Sequence, residues 1–378
     1  MKIRINRLDL LTALQRVQGV VEKRNTMPIL AHVLLEAKSE GLDILATDLE
    51  IGMRGLYKAS VEEPGSIAFS AKKLLEILKE TNESDIEMTV NENNWMTIQA
   101  GRSQFRVVGL PSQDYPSLPA IERDGLMSLP SEGLLELIRK TIFAVGESDT
   151  RYVLNGLLTT IMPLGEKLLI RLVGTDGHRL ALAEQEITPE GSSAPSGEIK
   201  VIIPKKAAME IRRLLEEPSD EEPLIGVSRN MLIFRKSGLV LTSRTMEGTY
   251  PNYQQVVPKE SPSKMVVGKE DLEGALRRVS LLSRDRAQAI KFSVVQHTLN
   301  LSASNPDLGE ATEDVPIQFQ GKEFITGFNA KYLLDVLGVI TEKTLSIQMD
   351  TPLSPCLIQE PGNTRFKAVV MPIKVEQN

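Results

Sequence analysis

Apolar residues recur at helical spacing in six short segments of the chain. In the first segment Leu10, Leu14 and Val17 follow one another at intervals of three and four residues, which is the spacing of one buried helix face. Polar and charged residues occupy the opposite side. The pattern therefore predicts six amphipathic helices, in the segments 6–24, 70–80, 131–141, 204–215, 269–286 and 330–339.

The sequence between these segments is typical of short strands. Runs rich in β-branched and apolar residues are separated by Gly, Asn, Asp or Pro, which end strands and form turns. Examples are HVLLEAK, GLDILAT and QFRVVGL, then LLIRLVGTD, IKVIIP and MLIFRK, then FITGF, TLSIQM and FKAVVMP. Each third of the chain has two helices and about eight strands. This composition predicts an α+β fold with helices packed on one face of antiparallel sheets.

The same order of elements occurs three times, at intervals of about 125 to 135 residues. This interval is far longer than a solenoid repeat and matches the size of a domain. Two proline-rich stretches, 109–125 and 248–264, both contain Tyr-Pro and resemble domain junctions, because proline disfavours helices and central strands. We therefore predict three repeated domains: N-terminal 1–125, central 126–258 and C-terminal 259–378.

Composition narrows the class of protein. The 378 residues are 41% hydrophobic and 25% charged, as in soluble globular proteins. No apolar run approaches the length of about 18 residues needed to span a bilayer, and the N-terminus lacks a signal-peptide core. The single cysteine fits a reducing cytoplasm. The three histidines have no ligand-like spacing, so neither a metal site nor a cofactor is expected.

Charge is distributed unevenly along the chain. The net charge is −6, yet the six helical segments together carry +7, so the remainder carries −13. A basic surface within an acidic protein can attract a polyanion to one face and repel it elsewhere. The strongest candidates are on the polar half of the fourth helix: Lys205, Lys206, Arg212 and Arg213. The alternative interpretation, an ordinary solvated helix face, fits the same pattern.

Motifs for catalysis are nearly absent. The sequence has no P-loop, dinucleotide fingerprint, GxSxG or HExxH motif. The most enzyme-like string is TDGHRLA at 175–181, in which Asp176 and His178 could form the acid–base pair of a hydrolase or a metal-assisted enzyme. However, TDLEIG at 47–52 and SNPDLGEA at 304–311 also follow an apolar strand. This repetition favours a recurring turn over a catalytic pair.

The C-terminal segment FKAVVMPIK is unusually apolar for a chain end. It has two interpretations. The segment is either the last strand of a sheet, or an adaptable apolar site for partners, since methionine repacks around varied ligands. The residues concerned are Val369, Val370, Met371 and Pro372.

Several motifs resemble those of a known family. They are RNTMPIL (24–30), RYVLNG (151–156), TDGHRLA (175–181), YPNYQQVVP (250–258), GFNAKYLLDVL (327–337), SPCLI (354–358) and VVMPIK (369–374). In this order and over the whole length they resemble the bacterial DNA polymerase III β subunit, the sliding clamp. The resemblance implies a non-catalytic processivity factor: two subunits joined head to tail in a ring of six domains, with basic helices lining the hole and sheets outside.

The resemblance also implies partners. They are double-stranded DNA bound without sequence preference, a second copy of the chain, the DNA polymerase III α subunit, the clamp loader, and other polymerases and repair proteins that carry a clamp-binding peptide; no membrane is involved. Matching DNA-contacting positions are Arg24, Lys72, Ser148, Tyr152 and Val153, to which the charge pattern adds the four basic residues of the fourth helix. Ser148 and Val153 depart from residues found in some members.

A partner-peptide groove between the central and C-terminal domains is implied in the same way. Its matching positions are Leu154, Thr175, Gly177, His178, Arg179, Leu180, Pro251, Val256, Leu353, Pro355, Val369, Val370, Met371 and Pro372. Gln255 replaces an arginine of some members, and Glu376, Gln377 and Asn378 extend past the usual end, where they could screen the groove. The implied subunit contact joins Phe105 and Val107 to Leu281 and Leu282.

Overall fold

The computed structural model describes residues 1–21, 27–118, 125–189, 195, 197–258, 261, 263–283 and 289–374. Within these residues it has six α-helices: α1 Arg7–Val17, α2 Ala71–Glu80, α3 Ser131–Ile142, α4 Lys205–Leu215, α5 Lys269–Val279 and α6 Ala330–Leu337. All six predicted helices are confirmed. Helices α1 and α5 are shorter than predicted, since they end at Val17 and Val279.

Three of the helices begin at a polar residue that ends the preceding strand. The side chain of Asn6 accepts hydrogen bonds from the amides of Leu8 and Asp9 at the start of α1. Ser70 caps α2 and Asn329 caps α6 in the same way. These caps satisfy amides that have no partner inside the helix, so the strand-to-helix transition is encoded locally.

The strands number nine, eight and eight in the described parts of the three predicted domains, close to the prediction. In the first they are β1 Lys2–Asn6, β2 His32–Lys38, β3 Gly41–Thr47, β4 Ile51–Tyr57, β5 Ser60–Glu63, β6 Gly65–Ser70, β7 Asp85–Val90, β8 Trp95–Ala100 and β9 Ser103–Val108. In the second they are β10 Met127–Ser128, β11 Gly156–Leu164, β12 Lys167–Thr175, β13 Arg179–Ile187, β14 Ile199–Pro204, β15 Leu224–Ser228, β16 Met231–Lys236 and β17 Leu239–Arg244. In the third they are β18 Lys264–Gly268, β19 Ala289–Val295, β20 Thr298–Asn305, β21 Gly309–Gln320, β22 Phe324–Asn329, β23 Thr344–Gln348, β24 Cys356–Gln359 and β25 Phe366–Val370.

These strands form three sheets in two compact units. The first unit is built mainly from Met1–Ser131 and Met209–Thr245, and the second mainly from Glu132–Thr188, Pro195–Ala208 and Met246–Asn378. In the first unit the strand orders are β5-β1-β7-β8-β9 and β10-β15-β16-β17-β4-β3-β2-β6. In the second unit one sheet runs β14-β11-β12-β13-β25-β24-β23-β18-β21-β20-β19-β22.

Strands from consecutive predicted domains pair inside each unit. In the first unit β4 pairs antiparallel with β17, with Gly52 opposite Thr242. In the second unit β13 pairs antiparallel with β25, with Leu180 opposite Val369. Because the sheets continue from one repeat into the next, compact units and sequence repeats do not coincide. The domain limits at 125 and 258 therefore stay predictions.

The apolar faces of the helices are buried, as their periodicity predicts. Leu10 and Leu14 of α1 and Leu276 of α5 have no exposed surface. Burial of each such side chain contributes about 1.5–3 kcal/mol before the entropy cost. The charge prediction needs a correction, however. Within the observed helix ends the six helices carry a net +5 rather than +7, and α4 alone carries +3.

Candidate functional site

Residues 175–179 form a tight turn between β12 and β13. The Thr175 hydroxyl donates to the carbonyl of Arg179 (2.6 Å) and accepts from the amide of Gly177 (3.1 Å). The Asp176 carboxylate accepts from the amides of His178 (2.9 Å) and Arg179 (3.0 Å). Gly177 has φ +84°, which glycine adopts without strain. The motif TDGHR thus encodes a self-bonded turn.

The same turn occurs between β3 and β4. The Thr47 hydroxyl donates to the Ile51 carbonyl (2.9 Å), and Asp48 accepts from the amides of Glu50 (3.0 Å) and Ile51 (2.7 Å). Leu49, at φ +79°, holds the position of Gly177. The prediction of a recurring turn is confirmed.

The third copy also turns at its matching motif, between β20 and β21. The side chain of Asn305 accepts from the amide of Asp307 (2.9 Å), and Gly309 has φ +111°. The acid–base interpretation of Asp176 and His178 loses its support, because the Asp176 carboxylate binds the turn amides and Arg179 rather than the imidazole.

Arg179 connects this turn to helix α6. Its Nε donates to Asp176 Oδ2 (3.0 Å), and its Nη1 donates to Asp335. Its guanidinium lies 4.5 Å from the centre of the Tyr332 ring, and the His178 ring stacks on the same tyrosine at 6.4 Å. A half-buried guanidinium that has both a carboxylate and an aromatic partner holds its neighbours in one geometry.

Beneath the turn lies an apolar cluster shared by several strands. Leu154 and Val369 have no exposed surface and pack with Leu180 and Leu357. Tyr250 closes the cluster and donates its hydroxyl hydrogen to the carbonyl of Val173 (3.2 Å). Burial raises the pKa of Tyr250, so the phenol stays protonated. This cluster is a rigid floor for any ligand that binds above it.

The predicted groove residues divide into this floor and an exposed rim. Val370 is fully buried in β25 like Val369, so these two valines support the surface rather than form it. The amide of Met371 donates to the carbonyl of His178 (2.8 Å), which places the half-buried methionine beside the exposed histidine. Leu353 is 64% exposed on the loop before β24. The remaining rim positions are exposed or half-buried: Gly177, Pro251, Val256, Pro355 and Pro372.

Three residues that contact Arg179 were not identified from the sequence. Tyr332 and Asp335 lie one helical turn apart on α6 and face Arg179 together. Phe143, just after α3, contributes a second ring 5.6 Å from the same guanidinium. The segment that contains Tyr332 and Asp335 was prominent in the sequence, but its pairing with Arg179 depends on contacts over more than 150 residues of chain.

The candidate DNA-contacting residues are not equally available. The Lys72 side chain is 85% exposed on α2 and 3.9 Å from Glu76. Ser148 and Tyr152 are also exposed, and Ser148 has φ +57°. Val153 instead packs inward against the cluster around Tyr250, so the structure gives its predicted DNA contact no support. Arg24 lies outside the described residues, as do Glu376, Gln377 and Asn378.

Two of the four basic residues on α4 bind other segments of the protein. Lys205 Nζ binds Glu147 (2.7 Å) and the carbonyl of Val145 (3.1 Å), and this contact lowers the pKa of Glu147. Arg213 donates to the carbonyls of Gln15 (3.1 Å) and Arg16 at the end of α1, and to Glu210. The alternative interpretation of an ordinary solvated face therefore does not describe Arg213, whose DNA contact stays a prediction. Lys206 and Arg212 are half-buried on the same helix, and Arg212 lies 3.8 Å from Glu216.

The candidate subunit contacts lie beside open strand edges. Strand β9 is the last in its sheet, and its Phe105 and Val107 are half-buried. In the second unit β18 pairs with β21 only from Ile317 to Gln320, which leaves the first half of β21 with β20 as its one partner among the described strands. Leu281, in the turn after α5, is 77% exposed, and Leu282 is half-buried.

Comparison with known proteins decides the family. Models of the N-terminal, central and C-terminal domains of the DNA polymerase III beta subunit match residues 1–119, 128–252 and 254–374. The chain belongs to the DNA polymerase III beta subunit family. The three successive matches confirm three repeated clamp domains.

The likeness extends over full lengths. The beta sliding clamp of Caulobacter vibrioides is 36% identical over 99% of this chain and 100% of its own length. The crystal structure of the beta subunit from Pseudomonas aeruginosa has a TM-score of 0.89 at 33% identity, with 99% of this chain and all of that chain covered. A Bartonella birtlesii sliding clamp bound to griselimycin has a TM-score of 0.91 at 33% identity, with the same coverage.

Within this sliding-clamp chain the two junctions between repeats differ in chemistry. At the first, the amide of Arg244 donates to the carbonyl of Glu50 (3.0 Å), just as Met371 binds His178 at the second. The preceding residues are Thr242 and Ser243 in β17, where β25 has Val369 and Val370. The backbone is therefore repeated, but an apolar strand end followed by a half-buried methionine occurs at the second junction and a polar strand end at the first.

The described residues give little support for a metal site or a reactive cysteine. Among residues the structure describes, no group of three or more His, Cys, Asp or Glu side chains could hold a metal ion. Cys356 is buried in β24, and burial raises the pKa of its thiol. No helix in the described part of the chain is long and apolar enough to cross a membrane.

Proposed function

We propose that the chain is a DNA sliding clamp that works as a homodimeric ring around duplex DNA. In this role it is a non-catalytic processivity factor that keeps the replicative polymerase on its template. The observation that carries the proposal is the ordered match of three successive clamp domains over residues 1–374, together with full-length likeness to beta sliding clamps.

A ring holds DNA by enclosure, so its contacts with DNA need only be weak. Sequence-independent phosphate attraction has dissociation constants of roughly 10⁻⁴ to 10⁻⁶ M at physiological salt, which permits sliding. Separated basic residues such as Lys72 and Arg212 suit this role, because a dense basic groove would hold one position. The acidic remainder of the chain would keep DNA from the outer surface.

The open strand edges support a head-to-tail dimer. The edge of β9 in one subunit and the first half of β21 in the other are different surfaces, so their pairing is heterologous. Heterologous contacts close into a ring when the rotation between subunits permits it. Phe105 and Val107 would then meet the exposed Leu281 and its neighbour Leu282, burying apolar surface that is open in one subunit.

The second junction is the proposed docking site for partner proteins. A rim with exposed Leu353 and His178 and half-buried Met371, above an apolar floor, suits a short extended peptide. Such a peptide gains affinity from a few apolar anchors and main-chain contacts. The partners expected there are the DNA polymerase III α subunit, the clamp loader, and other polymerases and repair proteins. A cytoplasmic location follows from this role and agrees with the single buried cysteine.

A substitution at Met371 tests the docking site. Met371→Glu keeps the amide that binds His178 but places a charge on the rim, so the affinity for a synthetic peptide carrying a polymerase clamp-binding motif should fall at least about tenfold. Met209→Glu, at an exposed methionine on α4, is the matched control and should leave peptide affinity unchanged. Equal peptide affinity of the wild type and Met371→Glu, measured by calorimetry, would contradict the assignment.

A further inference from the structure

A cavity lies in the third domain, away from the floor of the groove. It has a volume of about 910 Å³ and opens between strand β22 and the loop that follows β23. Its apolar lining comes from Phe324, Ile325, Met349 and Pro352, and Lys322 lies at the same site. No residue assigned so far to DNA, peptide or subunit contact lines it.

Hydrogen bonds fix both walls of this cavity. The Ser261 hydroxyl donates to the carbonyl of Met349 (2.7 Å), and the Met349 amide donates to the carbonyl of Ser263 (3.3 Å). On the other side the Thr326 hydroxyl donates to the carbonyl of Pro352 (2.6 Å). The cavity is therefore preformed, and a ligand would not have to order its walls.

The cavity also borders a strand edge. Strand β22 is the last of its sheet and pairs with β19, while the amide of Ile373 donates to the carbonyl of Gly327 on the opposite edge (2.7 Å). Backbone groups alternate between the two edges of a strand, so those of Ile325 face the same side as those of Gly327. Ile325 is 38% exposed. Ile325 thus lines the cavity and has its backbone groups on the side of β22 away from β19.

Residues of this cavity lie close along the chain to residues of the proposed groove at two places. Pro352 lines the cavity and Leu353 belongs to the groove rim. Gly327 binds Ile373, two residues after Met371, and lies two residues from Ile325. Two residues of a strand span about 7 Å. A chain in the groove needs only a few more residues to reach the cavity.

We propose that this cavity binds the residues that flank the clamp-binding motif of a partner peptide. The flank adds as a short strand beside Ile325 and places one apolar side chain between Phe324, Met349 and Pro352. This inference rests on the proposed function of the groove and extends its ligand. Strand addition supplies main-chain hydrogen bonds, and the cavity supplies side-chain specificity.

The lining favours a peptide flank over other ligands. Lys322 is accompanied by Glu323 and Asp350, so the charges at the cavity do not specify an anion. Its floor is apolar, which suits a side chain of leucine size. A flank of this kind would let partners with the same core motif differ in affinity.

Three synthetic peptides test the proposal: the core motif alone, and the motif extended by four residues, including one leucine, at its N-terminal or its C-terminal end. One extended peptide should bind the intact dimer roughly tenfold more tightly than the core, the gain that burial of one leucine-sized side chain supports. Ile325→Asp should remove that gain and leave the core peptide unaffected. Val295→Asp, at an exposed valine of neighbouring strand β19, should retain the gain.

The outcomes separate the two proposals. If neither extension improves binding, or if Ile325→Asp leaves the gain intact, the cavity does not bind the flank. If the extensions gain affinity only after residues 375–378 are deleted, the chain's own end is the occupant and the proposal is overturned. If instead Met371→Glu does not change the affinity of the core peptide, the groove assignment fails, whatever the extended peptides show.

Discussion

The guanidinium of Arg151 lies close to Gly177, in the turn that follows β12. A Cβ atom on Gly177 would lie 2.6 Å from Arg151 Nη2, and that nitrogen donates to the carbonyl of Asp176 (3.0 Å). The φ of +84° favours glycine at this position, and an added Cβ would also displace the guanidinium of the exposed Arg151 side chain from the Asp176 carbonyl.

We expect Gly177→Ala to lower the free energy of unfolding by about 2 kcal/mol and to weaken binding of the core peptide. The matched control is Gly362→Ala, at φ +79° with open space around it, which should cost about 1 kcal/mol for the backbone alone and leave peptide binding unchanged. Denaturant unfolding and peptide titration measure the two effects. Equal losses of stability and unchanged peptide affinity for both variants would contradict the role of Arg151.

Lys140 and Glu360 form an ion pair that is buried within the second unit. The Lys140 amine lies 3.4 Å from Glu360 and 3.0 Å from Glu136. Glu360 also accepts from the amide of Thr341 (2.8 Å) and from Asn363 (2.7 Å). Burial by itself would raise the pKa of Glu360, but these hydrogen bonds and the charge of Lys140 together lower it. The pair connects α3 to the segment between β24 and β25.

Removing the charge of Glu360 should leave Lys140 poorly compensated. We expect Glu360→Gln to cost about 3 kcal/mol near pH 7. Because the folded-state pKa of Glu360 is lowered, its contribution is complete above the unfolded value of about 4.3 and disappears as pH falls through the folded value. The difference from the wild type should therefore shrink below about pH 4. Glu342→Gln, at an exposed carboxylate, is the control; a difference independent of pH would contradict the account.

At the level of elements, the two neighbouring arginines of helix α4 differ in how far they are bound by the rest of the protein. Arg213 donates hydrogen bonds to the carbonyls of Gln15 and Arg16 at the end of α1. These carbonyls lack partners within their own helix. Arg212, one residue earlier, has only Glu216 within 4 Å as an ion-pair partner in the described residues. Neighbouring arginines on one helix thus have different contacts.

This difference predicts opposite phenotypes. Arg213→Ala should lower the free energy of unfolding by about 1–3 kcal/mol, since it leaves helix-end carbonyls and Glu210 without their donor. Arg212→Ala should leave stability within about 0.5 kcal/mol but reduce the affinity of the dimer for duplex DNA at low salt. Thermal unfolding and filter binding at two salt concentrations distinguish them. A stability loss confined to Arg212→Ala would contradict the assignment.

The sequence predicted these elements better than their contacts. Periodicity was enough to predict the six helices, because apolar residues such as Leu10 and Leu14 recur at the spacing of one helix face. The early end of α5 at Val279 was missed, since Arg277 and Arg278 continue the helical pattern without a strong stop. Arg179 binds Asp335, and Arg213 binds the carbonyls of Gln15 and Arg16, across more than 150 residues of chain, and no local rule pairs residues at that distance.

In the whole molecule, repetition of the backbone and divergence of side chains explain the site. The turns at Thr47 and Thr175 have the same hydrogen bonds, and the sequence revealed that likeness. It did not reveal that β4 pairs with β17 and β13 with β25, so it could not show why one junction is polar and the other apolar. The difference follows from Arg244 and Met371 in equivalent places.

The central claim is that the dimer holds DNA by enclosing it in a ring rather than by binding it tightly. The most direct measurement is retention on circular DNA before and after the circle is cut. Protein placed on a nicked circle by a clamp loader should stay bound through gel filtration at moderate salt and be lost once the DNA is linearised. Leu281→Asp, which puts a charge in the proposed subunit contact, should not be retained on either form. Equal retention of the wild type on circular and linear DNA would contradict the account.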